Sequence, residues 1–367
     1  MATVADRVFN FSAGPAVLPL SVLERARDEL LSLPGVGMSV LEISHRSKAF
    51  DEILERTLAD LGSLLGLGDE HELVLLQGGA SLQFAMVPLN LLSGQSAAAN
   101  YILTGTWGKS GLKEAKGIGP THVAWDGEQT GYDRLPEAGA ISLSERPAYV
   151  HLTSNETIQG VQWRQLPDPG DAPLVCDCSS DFLSRPVELD RYGILYACAQ
   201  KNAGIAGVTA VAIRKDLLGR SPDSLPTMLN YRTFVEKGSR PNTPPVFAVY
   251  ILGLVCDWLL REVGGLEQMA ARNAAKAALL YDTLDASGGF YRGHAAADCR
   301  SQMNVTFRLP SAELEQAFLT EASRHGLSDL KGHRSVGGIR ASVYNAMPEA
   351  GVLALRDFMN DFKNARG

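Results

Sequence analysis

A carboxylate and an amine each follow a short apolar stretch of this chain. Asp177 closes the stretch LVCD, and Lys201 comes directly after ILYACAQ. Such runs are typical of strands buried in a sheet, and a polar residue at the strand end points into the crevice where α/β proteins bind ligands. The pair suits pyridoxal phosphate, which needs a lysine for its Schiff base and an acid to keep its ring nitrogen protonated. Taken alone, the two residues could also form a structural ion pair.

A glycine turn offers a place for a phosphate group. In LLQGGASLQF a predicted strand runs into Gly78 and Gly79, and a helix is predicted to begin near Ser81. Free N–H groups at a helix N-terminus bind phosphate, and glycine lets the backbone approach the anion closely. Trp107 follows the predicted strand YILT, where it could stack on an aromatic ring. An ordinary connection and a core aromatic are the alternatives for these two features.

Two loops concentrate cationic side chains in a chain whose net charge is −7. The loops are SHRS near the start and KGHRSVGGIRAS near the end. Their cationic residues are His45, Arg46, Lys331, His333, Arg334 and Arg340. Arginine binds carboxylate and phosphate groups through two parallel hydrogen bonds, so the loops indicate a site for small anions. A solvated loop face is the alternative, but an arginine inside the strand-like segment GGIRAS needs a partner.

The bulk composition is typical of a globular enzyme. The chain has 367 residues, of which 45% are hydrophobic and 20% charged, and this length predicts two domains of unequal size. The negative charge argues against nucleic acid or a membrane surface as the main partner. No secretory signal opens the chain, and the longest apolar stretch, VFAVYILGLVCDWLL, is too short to cross a bilayer. We therefore expect a cytoplasmic protein.

The cysteines indicate reduced thiols in the core. The five are Cys176, Cys178, Cys198, Cys256 and Cys299. Their odd number and their apolar surroundings argue against a disulfide framework. No second pair at metal-ligand spacing accompanies Cys176 and Cys178, so we expect no metal site.

Strands and helices alternate through most of the chain. The predicted strands are ELVLLQ, YILT, THVAW, AYVHLT, LVCD, ILYACA and VTAVAIR. The predicted long helices span Ser21–Leu33, Ala49–Leu65, Phe247–Arg261 and Leu266–Leu284. This alternation predicts an α/β fold with a mostly parallel sheet and helices on both faces. After the last of these helices the pattern predicts a small α+β unit. We place a large α/β domain at 17–262 and a small domain at 1–16 plus 263–367, because chain termini tend to lie together.

Eight motifs occur in order between residues 9 and 348. They are FNFSAGPAVLP, SHRS, GGASLQF, TSNETIQG, DCSSDFLSRP, AQKNAG, NTPP and KGHRSVGGIRASVYNAMP. Together they closely resemble the phosphoserine aminotransferase family, fold-type I pyridoxal-phosphate enzymes of the class-V aminotransferase group. The resemblance implies a fold-type I PLP-transferase with a large, mostly parallel seven-stranded sheet domain and a small α+β C-terminal domain. It also implies a homodimer that interconverts O-phospho-L-serine plus 2-oxoglutarate and 3-phosphooxypyruvate plus L-glutamate in serine biosynthesis. Members of the family also act on 4-phosphohydroxythreonine in pyridoxal phosphate biosynthesis.

The resemblance further implies roles for individual residues. Lys201 is the catalytic Schiff-base lysine, Asp177 pairs with the ring nitrogen, and Trp107 stacks on the ring. The other cofactor contacts are Ala80, Ser81, Thr157, Gln200 and, from the second subunit, Asn242 and Thr243. The substrate contacts are Arg340 for the α-carboxylate and His45, Arg46, His333 and Arg334 for the distal anion. Ser81 is a departure, because some members have an arginine there that helps to bind the substrate phosphate.

Other functions explain these residues less completely. A class-V transaminase of small amino acids would not need a cationic cluster for a distal anion. A cysteine desulfurase needs a reactive cysteine on a mobile loop, and Cys299 is the one candidate. A non-catalytic pyridoxal-phosphate sensor would tend to lose the lysine or the anion-binding residues. A purely structural oligomer leaves the strand-embedded Arg340 unexplained.

Overall fold

A computed structural model describes residues 7–367 of the chain. Its α-helices are α1 (Leu20–Leu30), α2 (Lys48–Leu65), α3 (Gly79–Leu91), α4 (Thr106–Lys116), α5 (Lys215–Leu218), α6 (Tyr231–Glu236), α7 (Val246–Trp258), α8 (Leu266–Asp285), α9 (Ala312–Arg324) and α10 (Glu349–Arg366). Its strands are β1 (Phe9–Asn10), β2 (His71–Leu76), β3 (Ala99–Leu103), β4 (Thr121–Asp126), β5 (Tyr149–Thr153), β6 (Asn155–Glu156), β7 (Val161–Gln162), β8 (Leu174–Asp177), β9 (Ile194–Cys198), β10 (Thr209–Arg214), β11 (Arg292–Gly293), β12 (Asn304–Arg308), β13 (Leu327–Ser328) and β14 (Ile339–Ser342). The helix predicted at Phe247–Arg261 is α-helical only as far as Trp258, and a π-helical turn over Leu259–Val263 completes it.

A seven-stranded sheet forms the centre of the larger part of the molecule. Its strand order is β2-β10-β9-β8-β5-β3-β4. Strand β10 runs antiparallel to both of its neighbours, and the other strand pairs are parallel. The predicted α/β fold with a mostly parallel sheet is therefore confirmed. Because β5, β8 and β9 are parallel neighbours, the residues at their carboxyl ends meet at one edge of the sheet.

The central strands of the sheet are buried on both faces, whereas the edge strand β4 is partly exposed. Every residue of β3, β5, β8 and β9 is buried. Along β2, Leu73 and Leu75 pack into one hydrophobic cluster, whereas Val74 and Leu76 pack into another. Alternate side chains of a strand point to opposite faces, so these clusters are two separate cores. Helices α2 and α7 contribute to the first core, and α3 and α4 contribute to the second.

A smaller unit follows the large sheet. Strands β11, β12 and β14 form an antiparallel sheet, and α9 and α10 supply apolar side chains to a third core beside it. Phe11 belongs to this core, and β1 pairs with β13 in parallel. These contacts support grouping the start of the chain with its end, although the boundaries at residues 16 and 262 stay a prediction. Among residues 7–367, no helix combines the length and apolar character needed to cross a membrane.

Candidate active site

Asp177 and Lys201 lie at the carboxyl edge of the large sheet. Asp177 ends β8 and is paired in register with Tyr196 of β9, and Lys201 follows β9 by three residues. The Asp177 carboxylate is 3% exposed and accepts the Ser179 N–H at 3.0 Å. Burial raises the pKa of Asp177, while Lys201 and Ser179 favour the ionised form. The two groups predicted to act together are thus close enough to affect each other's charge.

The amine of Lys201 is oriented by Thr157. Lys201 Nζ donates a hydrogen bond to Thr157 Oγ1 at 2.7 Å. Burial opposes a positive charge on Lys201, but surrounding groups outweigh it and raise the pKa above the ordinary value. In decreasing order these groups are Tyr344, Cys198, Asp177 and Glu156. A cationic ring nitrogen paired with Asp177 would cancel that carboxylate's effect, so cofactor binding would ease deprotonation of the amine.

Helix α3 begins with unpaired backbone donors at the same edge. Gly78 and Gly79 have φ values of 91° and 65°, which side-chain-bearing residues rarely adopt. The first hydrogen bond of the helix runs from Leu82 N to Gly78 O. The N–H groups of Gly79, Ala80 and Ser81 therefore have no partner among the described residues. Gly79 faces Cys198 at the end of β9, which places these free donors beside the segment that leads to Lys201.

Trp107 lies in the first turn of α4, and its indole ring is close to the amine of Lys201. Its ring centroid is 5.6 Å from Lys201 Nζ, and Phe84 of α3 packs near it at a centroid distance of 6.5 Å. A half-buried tryptophan next to the lysine can stack on a planar ring that the amine holds.

The loop before α1 closes over Lys201, which the sequence motifs alone did not indicate. Ala16 N donates to the carbonyl of Gln200 at 2.9 Å. Gly14 has a φ of 132°, and a Cβ added there would lie 3.4 Å from Lys201 Cγ. That contact would be an ordinary van der Waals one, so it is the positive φ that favours glycine at this position of FSAGP. This loop, Glu156 and Tyr344 are the parts of the site that our residue assignments missed.

Arg340 lines a cavity beside the small antiparallel sheet. The residue lies on β14 opposite Thr306, and among the described residues its guanidinium has no hydrogen-bond partner. Burial lowers its pKa. The cavity has a volume of about 290 Å³ and is also lined by His333 and by Ile158, the neighbour of Thr157. Among residues 7–367, therefore, no side chain or carbonyl supplies the partner that the sequence predicted for this arginine.

His333 lines the same cavity. Partial burial lowers its pKa, and the charges of Arg340 and Arg334 lower it further. Its Nδ1 lies 2.7 Å from Ser335 Oγ and 3.2 Å from the Ser335 N–H nitrogen, so the Ser335 residue holds this side of the ring. Arg334, on the same loop, is exposed. His333 and Arg340 thus line one cavity together, whereas Arg334 does not line it.

The first cationic loop, SHRS, lies away from the cavity of Arg340. His45 lines a cavity of about 610 Å³ together with Thr243, whereas Arg46 is exposed. Asn242 and Thr243 lie beside Gln77, whose Nε2 is 3.2 Å from Asn242 Oδ1. This cavity and the cavity of Arg340 share no lining residue. Within one chain, therefore, the structure does not bring the two predicted anion-binding loops together.

The residues at the sheet edge match the chemical groups of pyridoxal phosphate. A buried carboxylate suits a protonated ring nitrogen, free N–H groups at a helix start suit a phosphate, and an indole face suits the ring.

All five cysteines are buried. Burial raises the pKa of Cys299 to about 11, so it lacks the exposed thiolate that a desulfurase requires.

Three comparisons place the chain among known proteins. A model of the aminotransferase class-V family matches residues 8–355. A phosphoserine aminotransferase of Rhodopirellula baltica is 52% identical over 358 residues, which cover 97% of this chain and 95% of that protein. The solved phosphoserine aminotransferase from Bacillus circulans subsp. alkalophilus is 50% identical with a TM-score of 0.96, covering 99% of this chain and 100% of that one. A PLP-bound phosphoserine aminotransferase from Trichomonas vaginalis is 38% identical with a TM-score of 0.91, covering 96% of this chain and 100% of that one.

Proposed function

Because the chain belongs to the phosphoserine aminotransferase family of the class-V aminotransferases, we propose that it interconverts O-phospho-L-serine plus 2-oxoglutarate and 3-phosphooxypyruvate plus L-glutamate. The protein is a pyridoxal-phosphate-dependent transaminase. One observation carries the choice of substrate: Arg340, whose guanidinium has no hydrogen-bond partner among the described residues, lines the same cavity as His333. Two separate donor groups suit an amino acid that carries a second anion at its far end.

The residues of the chain divide the work of transamination. Pyridoxal phosphate, when bound, supplies an aldehyde that takes the amino group and a cationic ring that accepts the electrons left at the substrate carbon. Asp177 holds the proton on the ring nitrogen, and the N–H groups at the start of α3 hold the phosphate. Lys201 removes the Cα proton and returns a proton further along the reaction. Thr157 keeps the amine of Lys201 in line through its hydrogen bond.

The two substrates share one end and differ at the other. Arg340 would hold the α-carboxylate common to phosphoserine and glutamate. His333 and Arg334 would hold the distal anion, phosphate in one substrate and carboxylate in the other, with His45 and Arg46 from the partner subunit completing the set. Ser81 is exposed in the first turn of α3. Because serine carries no charge, binding of the distal anion would depend on these histidine and arginine side chains.

The test of the proposed function is a comparison of amino donors. With 2-oxoglutarate as acceptor, the purified holoenzyme should form glutamate rapidly from O-phospho-L-serine and at least a hundredfold more slowly from L-alanine, because alanine leaves the distal cations unpaired. Glutamate release and the visible spectrum of the cofactor would both be followed. Equal rates with alanine would support a class-V transaminase of small amino acids instead.

Replacing Arg340 with lysine should lower kcat/KM for O-phospho-L-serine by roughly a hundredfold, because lysine cannot make the paired hydrogen bonds to a carboxylate. Steady-state kinetics with both substrates would measure the loss, and it should appear for glutamate as well. Arg324, exposed at the end of α9, provides the matched control in Arg324→Lys. An unchanged KM in Arg340→Lys would remove this residue from the binding site.

We further propose that the active unit is a homodimer in which Asn242 and Thr243 complete the site of the second subunit. Both residues are exposed at the start of a Pro-rich turn, and Thr243 lines a cavity together with His45. Exposed polar residues beside a cofactor loop suit a contact across a two-fold interface. The proposal also explains why the two cationic loops lie apart within one chain.

Subunit mixing tests whether Asn242 acts across the interface. Lys201→Ala and Asn242→Ala should each be nearly inactive. An equal mixture of the two variants should regain about a quarter of wild-type activity. Half of its dimers are heterodimers, and each heterodimer has one site with both functional residues. Unfolding and refolding the mixed variants together, followed by an activity assay, would measure this. No recovery would mean that Asn242 serves the cofactor of its own chain.

Two further proposals concern a second substrate and the cellular compartment. The phosphorylated amino acid 4-phosphohydroxythreonine has the same two anionic ends as phosphoserine, so it is proposed as a second substrate, in pyridoxal phosphate biosynthesis. The five buried free thiols support a reducing compartment, and we propose the cytoplasm.

A further inference from the structure

The segment 155–160, NETIQG, contacts three parts of the site through neighbouring residues. It follows β5 at the carboxyl edge of the large sheet. Glu156 contacts the start of α4, Thr157 binds Lys201 Nζ, and the carbonyl of Gln159 accepts the hydroxyl of Thr306, the residue opposite Arg340. Thr157 has a place in the proposed function, whereas Glu156 has none.

Glu156 supplies acceptors that helix α4 lacks. The residue before the helix is Gly105, which has no side chain to accept the free N–H groups of the first turn. Glu156 Oε2 accepts the Trp107 N–H at 3.0 Å, and Oε1 accepts the Gly108 N–H at 2.9 Å. Gln159 Oε1 accepts the remaining Thr106 N–H at 3.3 Å. A carboxylate at this position is also favoured by the helix dipole.

The carboxylate fits closely against the turn that it serves. Glu156 is 0% exposed. A Cβ added to Gly105 would lie 2.5 Å from Glu156 Cδ, so the glycine is required for this approach. Burial raises the pKa of Glu156 to about 7, and the N–H groups of Gly108 and Trp107 act against this rise. When ionised, the Glu156 carboxylate holds its two N–H donors in place more firmly than a neutral acceptor would.

From these contacts we infer that Glu156 is a positioning residue for the proposed transaminase, which fixes the backbone of Trp107 so that the indole lies against the cofactor ring. The inference rests on the proposed function for the stacking role of Trp107. It extends that function, because Glu156 would then fix the position of the indole that stacks on the ring, while the adjacent Thr157 orients the amine of Lys201. The competing explanation is that Glu156 stabilises α4 as a helix cap without any effect on the ring.

A double-mutant cycle separates these two explanations. Glu156→Gln keeps the shape of the side chain, but its amide N–H₂ group would face one of the backbone N–H groups that the carboxylate accepts. The change should therefore raise the dissociation constant of pyridoxal phosphate roughly tenfold to a hundredfold. In a Trp107→Ala background the same change should cost less than about threefold, since coupled residues are non-additive. Equilibrium dialysis and the cofactor absorbance measure binding without any turnover. Glu114→Gln, an exposed carboxylate on the same helix, is the matched control.

A second variant and a second signal guard against a simple folding defect. Gly105→Ala should displace the Glu156 carboxylate and weaken cofactor binding in the same background-dependent way. In holoenzyme containing fluorotryptophan, the ¹⁹F resonance of Trp107 should shift in Glu156→Gln and stay unchanged in Glu114→Gln. Equal losses of affinity with and without Trp107, or an unmoved resonance, would overturn the positioning role. Wild-type protein that binds the cofactor but ignores phosphoserine would instead overturn the substrate assignment alone.

Discussion

Replacing Lys201 with alanine should lower kcat by on the order of ten-thousandfold or more, because in the proposed function Lys201 is both the amine that holds the cofactor and the base that moves the Cα proton. Lys201→Arg should be almost as inactive, since a guanidinium stays protonated and cannot serve as a base. The measurement is single-turnover kinetics with O-phospho-L-serine, followed through the visible absorbance of the cofactor.

Borohydride reduction gives this prediction a second signal. The wild-type protein should retain the cofactor on the peptide containing Lys201 after reduction, whereas Lys201→Ala should release it on denaturation. Lys237→Ala, an exposed lysine at the end of α6, is the control and should behave as wild type. Activity within tenfold of wild type in Lys201→Ala would show that another group is the base.

Replacing Asp177 with asparagine should lower kcat by roughly two to three orders of magnitude, because the side chain keeps its shape but no longer favours a positive charge on the ring nitrogen. The Ser179 N–H can still be accepted by the amide oxygen, so the fold around β8 should persist. The buried position makes the effect large, since a charge acts more strongly away from water.

A cofactor with a permanent ring charge separates this electrostatic role from a packing role. Pyridoxal phosphate methylated at the ring nitrogen should restore part of the activity of Asp177→Asn, because the charge no longer depends on the carboxylate. Asp190→Asn, at an exposed turn, serves as the control. If the methylated cofactor failed to help while Asp177→Asn still bound pyridoxal phosphate, the role of Asp177 would be positional rather than electrostatic.

Secondary structure followed from local patterns because strands and helices bury their side chains with different periods. The runs ELVLLQ, YILT, AYVHLT, LVCD and ILYACA are strands of the central sheet, as predicted. The antiparallel direction of β10 was not visible in its composition, since VTAVAIR is as apolar as its parallel neighbours. That direction is set by the chain path, which brings β10 back between β2 and β9.

Site residues at strand ends were easier to recognise than those that act through the backbone. Lys201 and Asp177 are charged groups directly after apolar runs, and such an arrangement calls for an explanation. Glu156 gave a weaker signal, a polar residue just beyond AYVHLT, and its partners Trp107 and Gly108 belong to a distant segment. Only the fold shows that these backbone donors point at one carboxylate.

Local patterns in the sequence predicted the sheet class and the buried strands and singled out Lys201 and Asp177 as a candidate pair, because burial and charge leave a trace in the order of residues. The tertiary structure decided which groups share a cavity. It joined His333 to Arg340 and set His45 with Thr243 in another cavity. Contacts between segments far apart in the chain depend on packing and strand order, and no local pattern of residue types encodes them.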